Sequence, residues 1–239
     1  YDVNLINLKL IDDKKMPFYE KGAQKLLSTG IDTSSDFDII KSSKNIIVCI
    51  GTPVDEYLNP KFENFFNLFY NLKEILKKNQ TIIIRSSVYP KTCQRLAEIV
   101  NNNIAYCPER IVQGSSISEM AKLPQIVSGF SKTAINNSSK LFRLISKKII
   151  ITTVLEAELI KLFSNSWRYV NFAVSNQFFM IASNLDINYS RLRKLMIDGY
   201  ERNKSIPMAG FAAGPCLLKD TMQLTSFTEN NFNLGHNAM

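Results

Sequence analysis

Short apolar runs alternate with helical segments through the first part of the chain, and this alternation restricts the fold more than any other feature. The runs "NIIVCIG" (45–51) and "TIIIRSSV" (81–88) resemble strands that are buried on both faces of a parallel sheet. Between them, "KFENFFNLFYNLKEILKK" (61–78) carries apolar residues at helical spacing. Because parallel strands are joined by crossovers that are usually helices, this order predicts an α/β fold with a doubly wound parallel sheet. The remaining predicted helices cover 91–102 and 133–148, and the remaining strands cover 103–109, 124–129 and 149–153.

The alternation stops near residue 154, where a helical region begins. Residues 156–186 contain no glycine or proline and predict one long helix, which a shorter helix over 189–200 follows. We therefore predict an α/β domain over 1–153 and an α-helical domain over 154–239. A helix this long that is apolar on more than one face packs against another chain or against the first domain. A homodimer formed through the long helix is the expected assembly.

Composition and charge exclude several classes of protein. No run of 18 apolar residues appears, so no membrane span is expected. The net charge of +8 comes from scattered lysines and arginines without a nucleic-acid motif, which favours phosphate-bearing small ligands over nucleic acid. The four cysteines match no zinc or disulfide pattern, so no metal site is predicted and the cytoplasm is the expected compartment. Cys49, inside an apolar run, is expected to be a buried core thiol.

The stretch "GFAAGPCLLKD" (210–220) carries the strongest chemical signal. If a helix begins at Pro215, Cys216 lies in its first turn, where free N–H groups and the positive end of the helix dipole favour the thiolate. Asp220 follows four residues later on the same face, and Lys219 adds a positive charge. These residues leave two alternatives open, an activated nucleophile with a carboxylate beside it or a buried structural cysteine.

Two further groups of polar residues are candidates for a site. Lys161 and Asn165 lie four residues apart in the long helix and could stabilise a developing alkoxide, although a solvent-facing pair is the alternative. Glu109 follows the strand over 103–109, and "GTP" (51–53) and "RSSVYP" (85–90) follow two other strands. Because open α/β sheets bind ligands at the carboxyl ends of their strands, these segments indicate a ligand site at one sheet edge.

The start of the chain, "YDVN", places Asp2 after what resembles the end of a strand. In dinucleotide-binding units an acidic residue at this point holds the ribose hydroxyls, and a Gly-rich phosphate loop lies about 20 residues upstream. That loop is not in this sequence, so we expect the natural chain to extend further, and a chance terminal aspartate is the alternative.

Taken together, the motifs resemble one family. "GFAAGPCLLKD" is similar to the Gly-x-Gly-Gly-x-Cys-x-x-Lys-Asp signature of the nucleotide-sugar 6-dehydrogenases, which act on UDP-glucose, UDP-N-acetylhexosamines or GDP-mannose. The resemblance covers essentially the whole chain and implies a Rossmann-like NAD-binding domain that lacks its first strand and Gly-rich loop. It also implies that a C-terminal nucleotide-binding domain is absent. The motifs follow one another in the family's order: "YDVN", "GTPVD", "RSSVYPKT", "CPERIVQG", "EAELIKLFSNSWRYVNFAVSNQ" and "GPCLLKDTMQL".

The resemblance implies an NAD-dependent, four-electron oxidation of a sugar C6 alcohol to a uronic acid, for the synthesis of polysaccharide precursors. Cys216 would form a thiohemiacetal and then a thioester, and Glu109 would act as the base for thioester hydrolysis. Lys161 and Asn165 would stabilise the oxyanion, and Asp220 would assist proton transfer or hold the attacking water. The implied cofactor-binding residues are Asp2, Gly51, Thr52, Pro53, Ser87 and Lys219.

Departures from the family pattern bear on the choice of substrate, and two other functions remain as alternatives. Ala213-Gly214 replaces the Gly-Gly pair, and Arg110 and Gln113 differ from the UDP-glucose branch, which favours a UDP-N-acetylhexosamine as substrate. One rival is a two-electron β-hydroxyacid dehydrogenase, which shares a Lys-x-x-x-Asn pair but needs no cysteine. The other is an inactive fragment that only dimerises through the long helix.

Overall fold

The computed structural model of the protein describes residues 1–52, 62–212, 216–229 and 231–239. The described residues divide into two compact units, Tyr1–Thr52 with Phe62–Glu158 and Leu159–Met239. In this part of the chain, no helix is long and apolar enough to span a membrane.

The first unit is built on a sheet that has five strands among the described residues, in the order β1-β2-β3-β4-β5. β1, β2 and β3 are parallel, and their register aligns Val48 with Ile84 and Ile84 with Tyr106, so their carboxyl ends meet at one edge. β2 is completely buried, as the run of isoleucines predicts. The strands are β1 (Asn45–Val48), β2 (Thr81–Ile84), β3 (Asn103–Tyr106), β4 (Gln125–Gly129) and β5 (Ile149–Ile151).

One pairing departs from the predicted parallel sheet, because β4 runs antiparallel to β3. Residues 107–124, all of which the structure describes, carry only the short helix α5 (Ser116–Lys122), and none of its residues is buried. A parallel crossover needs an element that packs across the sheet, and α5 does not do this. The chain therefore re-enters the sheet at the edge where β3 ends, while β5 remains parallel to β4.

Helices of the first unit bury their apolar faces, as the spacing of their apolar residues predicts. In α3, Phe65, Phe69 and Leu72 follow one another at intervals of three or four residues and are at most 1% exposed. A 3₁₀ helix covers Phe37–Ser42. The α-helices other than α5 that lie wholly in this unit are α1 (Leu5–Asp12), α2 (Ala23–Leu27), α3 (Glu63–Ile75), α4 (Thr92–Val100) and α6 (Lys132–Phe142).

A single long helix, α7 (Val154–Asn184), leads into the second unit and confirms the predicted long helix. At 1.5 Å per residue its 31 residues extend about 46 Å. It begins at Thr153, whose hydroxyl accepts from the Glu156 N–H while Glu156 Oε2 accepts from the Thr153 N–H, a reciprocal capping box. The other elements of this unit are α8 (Tyr189–Ile197), a 3₁₀ helix (Glu201–Asn203), α9 (Cys216–Phe227) and α10 (Asn233–Ala238).

Candidate functional site

Cys216 is the first residue of α9, and its side chain is exposed. This exposure excludes the buried structural cysteine that the sequence left open. The thiol lies at the N-terminal end of α9, where the first backbone N–H groups have no partner within the helix. Pro215, which was predicted to begin the helix, lies outside the described residues.

Asp220 lies one turn along α9 and is completely buried. Its Oδ2 accepts a 2.6 Å hydrogen bond from Nδ2 of Asn165 in α7, and Nζ of Lys219 lies 3.5 Å from its Oδ1. Asn165 is 7% exposed, so the solvent-facing alternative is wrong for this residue. Lys161 lies one turn before Asn165 in α7 and is partly exposed. The second unit thus brings Asn165, Lys219 and Asp220 together.

One oxygen of this buried carboxylate is left available. Asp220 Oδ1 accepts no hydrogen bond from any residue that the structure describes. Buried carboxylate oxygens nearly always accept hydrogen bonds, because burying an unsatisfied one is costly. Asp220 can therefore accept a hydrogen bond from a water molecule or a hydroxyl group in the site.

Glu109 follows β3 at the carboxyl edge of the sheet, and three N–H groups hold its carboxylate. Oε1 accepts from the backbone N–H groups of Arg110 (2.8 Å) and Ile111 (3.1 Å). Oε2 accepts from the guanidinium of Arg85. These three donors fix the position of the predicted base for hydrolysis.

Arg85, which the sequence prediction did not assign to the site, is the central group at this edge. It is 9% exposed, its guanidinium lies 3.4 Å from Oε1 of Gln125, and it stacks over the ring of Phe142 at 4.6 Å. A signal was present, because an arginine directly after the apolar run "TIII" needs a partner if it is buried. The partner itself lies 24 residues away and is not apparent from the local pattern.

The predicted cofactor residues at the ends of β1 and β2 are joined by hydrogen bonds. The Thr52 hydroxyl donates to the carbonyl of Ser87 at 2.6 Å, and the Ser86 hydroxyl donates to the carbonyl of Ile50 at 2.7 Å. Gly51 is exposed, and a Cβ there would meet nothing within 4 Å. Pro53 lies outside the described residues.

A cavity of about 680 Å³ runs along β1, and Asp2, Asp32 and Gly51 are among its lining residues. Its volume is typical of a small-molecule site. Asp2 is exposed and its Oδ1 accepts from the backbone N–H of Asn4, which fixes the carboxylate. Carboxylates are the acceptors that suit the hydroxyls of a ribose, so the cavity fits the adenosine half of NAD.

Cys49 also lines this cavity and is exposed, so the expected buried core thiol is wrong. β1 ends at Val48, one residue before the cysteine. β1 also pairs only with β2 among the described strands, which leaves its other side open. The apolar run predicted the strand but not the open side.

Comparison with known proteins relates the chain to one family. Residues 1–148 match the NAD-binding domain of the UDP-glucose/GDP-mannose dehydrogenase family, and residues 155–236 match its central domain. The UDP-N-acetyl-D-mannosamine dehydrogenase of Methanococcus aeolicus is 30% identical over 201 residues, which make up 78% of this chain and 45% of that protein. The protein of the same name from Pyrococcus horikoshii is 26% identical over 230 residues, which make up 91% of this chain and 54% of that protein.

A solved structure agrees with these matches. The UDP-D-ManNAc dehydrogenase from Pyrococcus horikoshii has a TM-score of 0.91 at 26% identity, and the match covers 100% of this chain and 60% of that one. The chain spans about half the length of the curated relatives it matches. The family resemblance, the Rossmann-like first unit and the helical region with its long helix are confirmed, and the chain belongs to the UDP-glucose/GDP-mannose dehydrogenase family, whose members are NAD-dependent nucleotide-sugar dehydrogenases.

Proposed function

We propose that the protein, as part of its full-length enzyme, oxidises the C6 alcohol of a UDP-N-acetylhexosamine to the uronic acid. The observation that carries this proposal is the exposed Cys216 at the start of α9, one turn before the buried Asp220 that Asn165 holds. The substrate class is supported by the relatives named UDP-N-acetyl-D-mannosamine dehydrogenase and by Arg110 and Gln113, which depart from the UDP-glucose pattern.

The chemistry of the proposal centres on the thiol. The alcohol first loses a hydride and a proton and becomes an aldehyde. The Cys216 thiolate then adds to the aldehyde carbon, and the oxygen takes up a proton to give a thiohemiacetal. Loss of a second hydride and a proton gives a thioester, which water hydrolyses to the carboxylate while the thiol is released. Overall, one alcohol, two NAD⁺ and one water give one carboxylate, two NADH and three protons.

The remaining residues assist these steps from fixed positions. Asn165 and Lys161 would stabilise negative charge on the substrate oxygen. Asp220, whose Oδ1 accepts no hydrogen bond from the described residues, would hold the attacking water or relay a proton. Glu109 would act as the base during hydrolysis. Three N–H donors fix the orientation of its carboxylate.

The residues present fit NAD, which supplies the acceptor for both hydrides when it is bound. Asp2 would hold the adenosine ribose at the β1 cavity, and Gly51 would let the cofactor approach the backbone. Thr52 and Ser87, joined by a hydrogen bond, would line the nicotinamide side, and Lys219 and Pro53 complete the proposed set.

The proposal is tested by counting NADH per sugar for the wild type and for Cys216→Ser with UDP-N-acetyl-mannosamine. We expect two NADH and one uronate per sugar from the wild type, and no uronate from Cys216→Ser. A sugar adduct on the peptide that contains Cys216, detected by mass spectrometry, would support the thioester. Ser226→Ala, which removes an exposed hydroxyl near the other end of α9, is the control and should behave as wild type.

Two results would contradict the proposal. Normal uronate formation by Cys216→Ser would remove the thiol from the mechanism. One NADH per substrate from the wild type would favour a two-electron dehydrogenase instead. If the wild type neither turns over nor binds NAD, the chain is better described as a fragment that only dimerises.

We also propose that the protein forms a homodimer through α7. Five exposed apolar side chains recur at intervals of three, four and seven residues, so they form one stripe on the helix. An apolar stripe of this kind, exposed in a single chain, is typical of an interface. The α7 stripe consists of Phe163, Trp167, Val174, Phe178 and Ile181.

A further inference from the structure

Glu158 is a buried carboxylate for which the proposed mechanism has no use. It lies in the second turn of α7 and is 1% exposed. Val154, Ala157 and Leu162, at intervals of three to five residues, are buried on the same side of the helix. Burying a charged group among apolar side chains is costly unless hydrogen bonds compensate for the lost water. The carboxylate of Glu158 therefore needs hydrogen-bond donors from the protein.

Its partners are backbone N–H groups at the start of α4. Glu158 Oε2 accepts from the N–H of Lys91 at 2.7 Å, and Oε1 accepts from the N–H of Cys93 at 3.0 Å. These N–H groups at the helix start have no partner within the helix itself. Burial raises the pKa of Glu158, and the hydrogen bonds from Cys93 and Lys91 act in the opposite direction. Burial and the neighbouring carboxylate also raise the pKa of the Cys93 thiol, which keeps this thiol protonated.

The backbone at this point is in an unfavourable conformation that these contacts hold. Lys91 has a φ of 69°, in the left-handed region that residues with a side chain rarely adopt. Such a conformation persists only where the surroundings impose it, and it often occurs at functional sites. Here a charge-assisted bond to the Lys91 N–H fixes the residue directly.

The β2–α4 loop consists of residues 85–91, and Glu158 binds the end of this loop that leads into α4. At its other end, the hydroxyls of Ser86 and Thr52 tie the loop to the end of β1 through the carbonyls of Ile50 and Ser87. The loop that carries Ser87 is therefore held at both ends. Glu158 lies 67 residues from Lys91 in sequence, and both residues belong to the first unit, so the contact depends on how the start of α7, Val154–Glu158, packs within that unit.

We propose that Glu158 is a positioning residue that fixes the β2–α4 loop and thereby holds Ser87 in place for NAD. This inference rests on the proposed function as far as NAD is concerned. The fixing of the loop is independent of that function, and the two are tested separately.

The test compares wild type with Glu158→Gln, which keeps the size of the side chain but removes the charge and one of the two acceptors. Backbone hydrogen exchange is measured without NAD, and the dissociation constant of NAD is measured by calorimetry. We expect exchange in residues 86–93 to become about tenfold faster, while exchange in β2 and β3 stays unchanged. We expect NAD to bind about tenfold more weakly.

Glu156→Gln is the matched control, because Glu156 lies two residues earlier in α7 and is exposed. It makes the same substitution, but its carboxylate binds Thr152 and Thr153 at the start of its own helix. Exchange in residues 86–93 and the affinity for NAD should therefore remain as in the wild type. Glu158→Asp, which keeps the charge, should recover part of the protection of residues 86–93.

Three outcomes decide between the alternatives. Unchanged exchange in residues 86–93, or an equal increase throughout the first unit, would overturn the positioning role. Faster exchange confined to residues 86–93, together with an unchanged affinity for NAD, would overturn the link between the loop and the cofactor. Failure of the wild type itself to bind NAD would contradict the proposed function and the cofactor part of this inference, while the exchange data would still decide whether Glu158 fixes the loop.

Discussion

At the scale of single residues, chemically distinctive side chains could be selected from the sequence as candidates, but their hydrogen-bond partners could not be predicted. Cys216, Asn165 and Asp220 were identified from spacing and resemblance, and the structure adds that Asp220 is buried and bound by Asn165. The partners of Glu109 and Glu158 were missed, because hydrogen bonds across 24 and 67 residues leave no local pattern in a sequence. Burial of a charged side chain is a better guide to such residues than periodicity is.

The Arg85–Glu109 pair leads to a prediction about stability. Replacing Arg85 with lysine keeps the charge but loses the planar group that reaches Glu109 and Gln125 and stacks on Phe142. We expect the free energy of unfolding to fall by about 1–3 kcal/mol, because the buried Gln125 and the partly buried Glu109 each lose a donor. Urea denaturation monitored by circular dichroism measures this difference.

Arg95 offers a matched control for this substitution. It is exposed and lies over the ring of Phe66 at 4.7 Å, so Arg95→Lys also removes an arginine–phenylalanine contact, but at the surface. We expect Arg95→Lys to change the free energy of unfolding by less than about 1 kcal/mol. Equal effects of the two substitutions would show that the buried network around Arg85 contributes nothing beyond its ring contact.

At the scale of elements, the predicted strands and helices agree with the structure because each is specified by its own periodicity. The direction of β4 was wrong, since it depends on whether α5 packs across the sheet and not on the pattern within β4. The sequence prediction began the long helix at residue 156, two residues later than the observed start of α7. Thr-Val-Leu-Glu at 153–156, which matches a capping box, marks the observed start. Capping residues therefore locate a helix start better than apolar spacing does.

The capping box of α7 predicts a pH-dependent contribution to stability. Hydrogen bonds from the Thr152 hydroxyl, the Thr153 N–H and the Thr153 hydroxyl lower the pKa of Glu156 to about 2 from its ordinary value of 4.5. A carboxylate whose pKa is lowered by folding stabilises the protein above its ordinary pKa, and this contribution is lost as the pH falls through the lowered value.

We therefore expect Glu156→Gln to be less stable than wild type by a constant amount at neutral pH. The difference should shrink as the pH falls from 4.5 toward 2, where Glu156 of the wild type becomes protonated. Thermal melting of both proteins across this range measures the difference. Thr153→Ala, which removes the other half of the box, should cost about 1 kcal/mol at neutral pH. Part of this cost should disappear toward pH 2, because the Thr153 hydroxyl also donates to the Glu156 carboxylate. A Glu156→Gln difference that stays constant down to pH 2 would contradict the role of the carboxylate.

At the scale of the whole molecule, the sequence predicted the order of an α/β region and a helical region, because the change of periodicity near residue 154 is abrupt. The resemblance implied that a strand is missing from the sheet, but the exposure of Cys49 beside β1 was not predicted. An apolar run has the same composition whether one or both of its neighbours are present, so the pairing of an edge strand depends on the rest of the chain. The exposed stripe on α7 presents the same problem, since its residues would suit a core as well as an interface.

The dimer proposal is tested by placing charge on the α7 stripe. Phe163 and Trp167 lie one turn apart and are 54% and 66% exposed. If they are buried between two copies, each contributes about 1.5–3 kcal/mol per side chain, so Phe163→Glu combined with Trp167→Glu should weaken dimerisation at least about 100-fold. Sedimentation velocity over a concentration series measures the dissociation constant, and circular dichroism checks that the variant keeps its helices.

Ser183→Glu adds a charge to the opposite face of α7 and should leave the dimer intact. A wild-type protein that sediments as a monomer at every concentration, or a double variant that dimerises as well as wild type, would mean that the stripe packs against something other than a second copy.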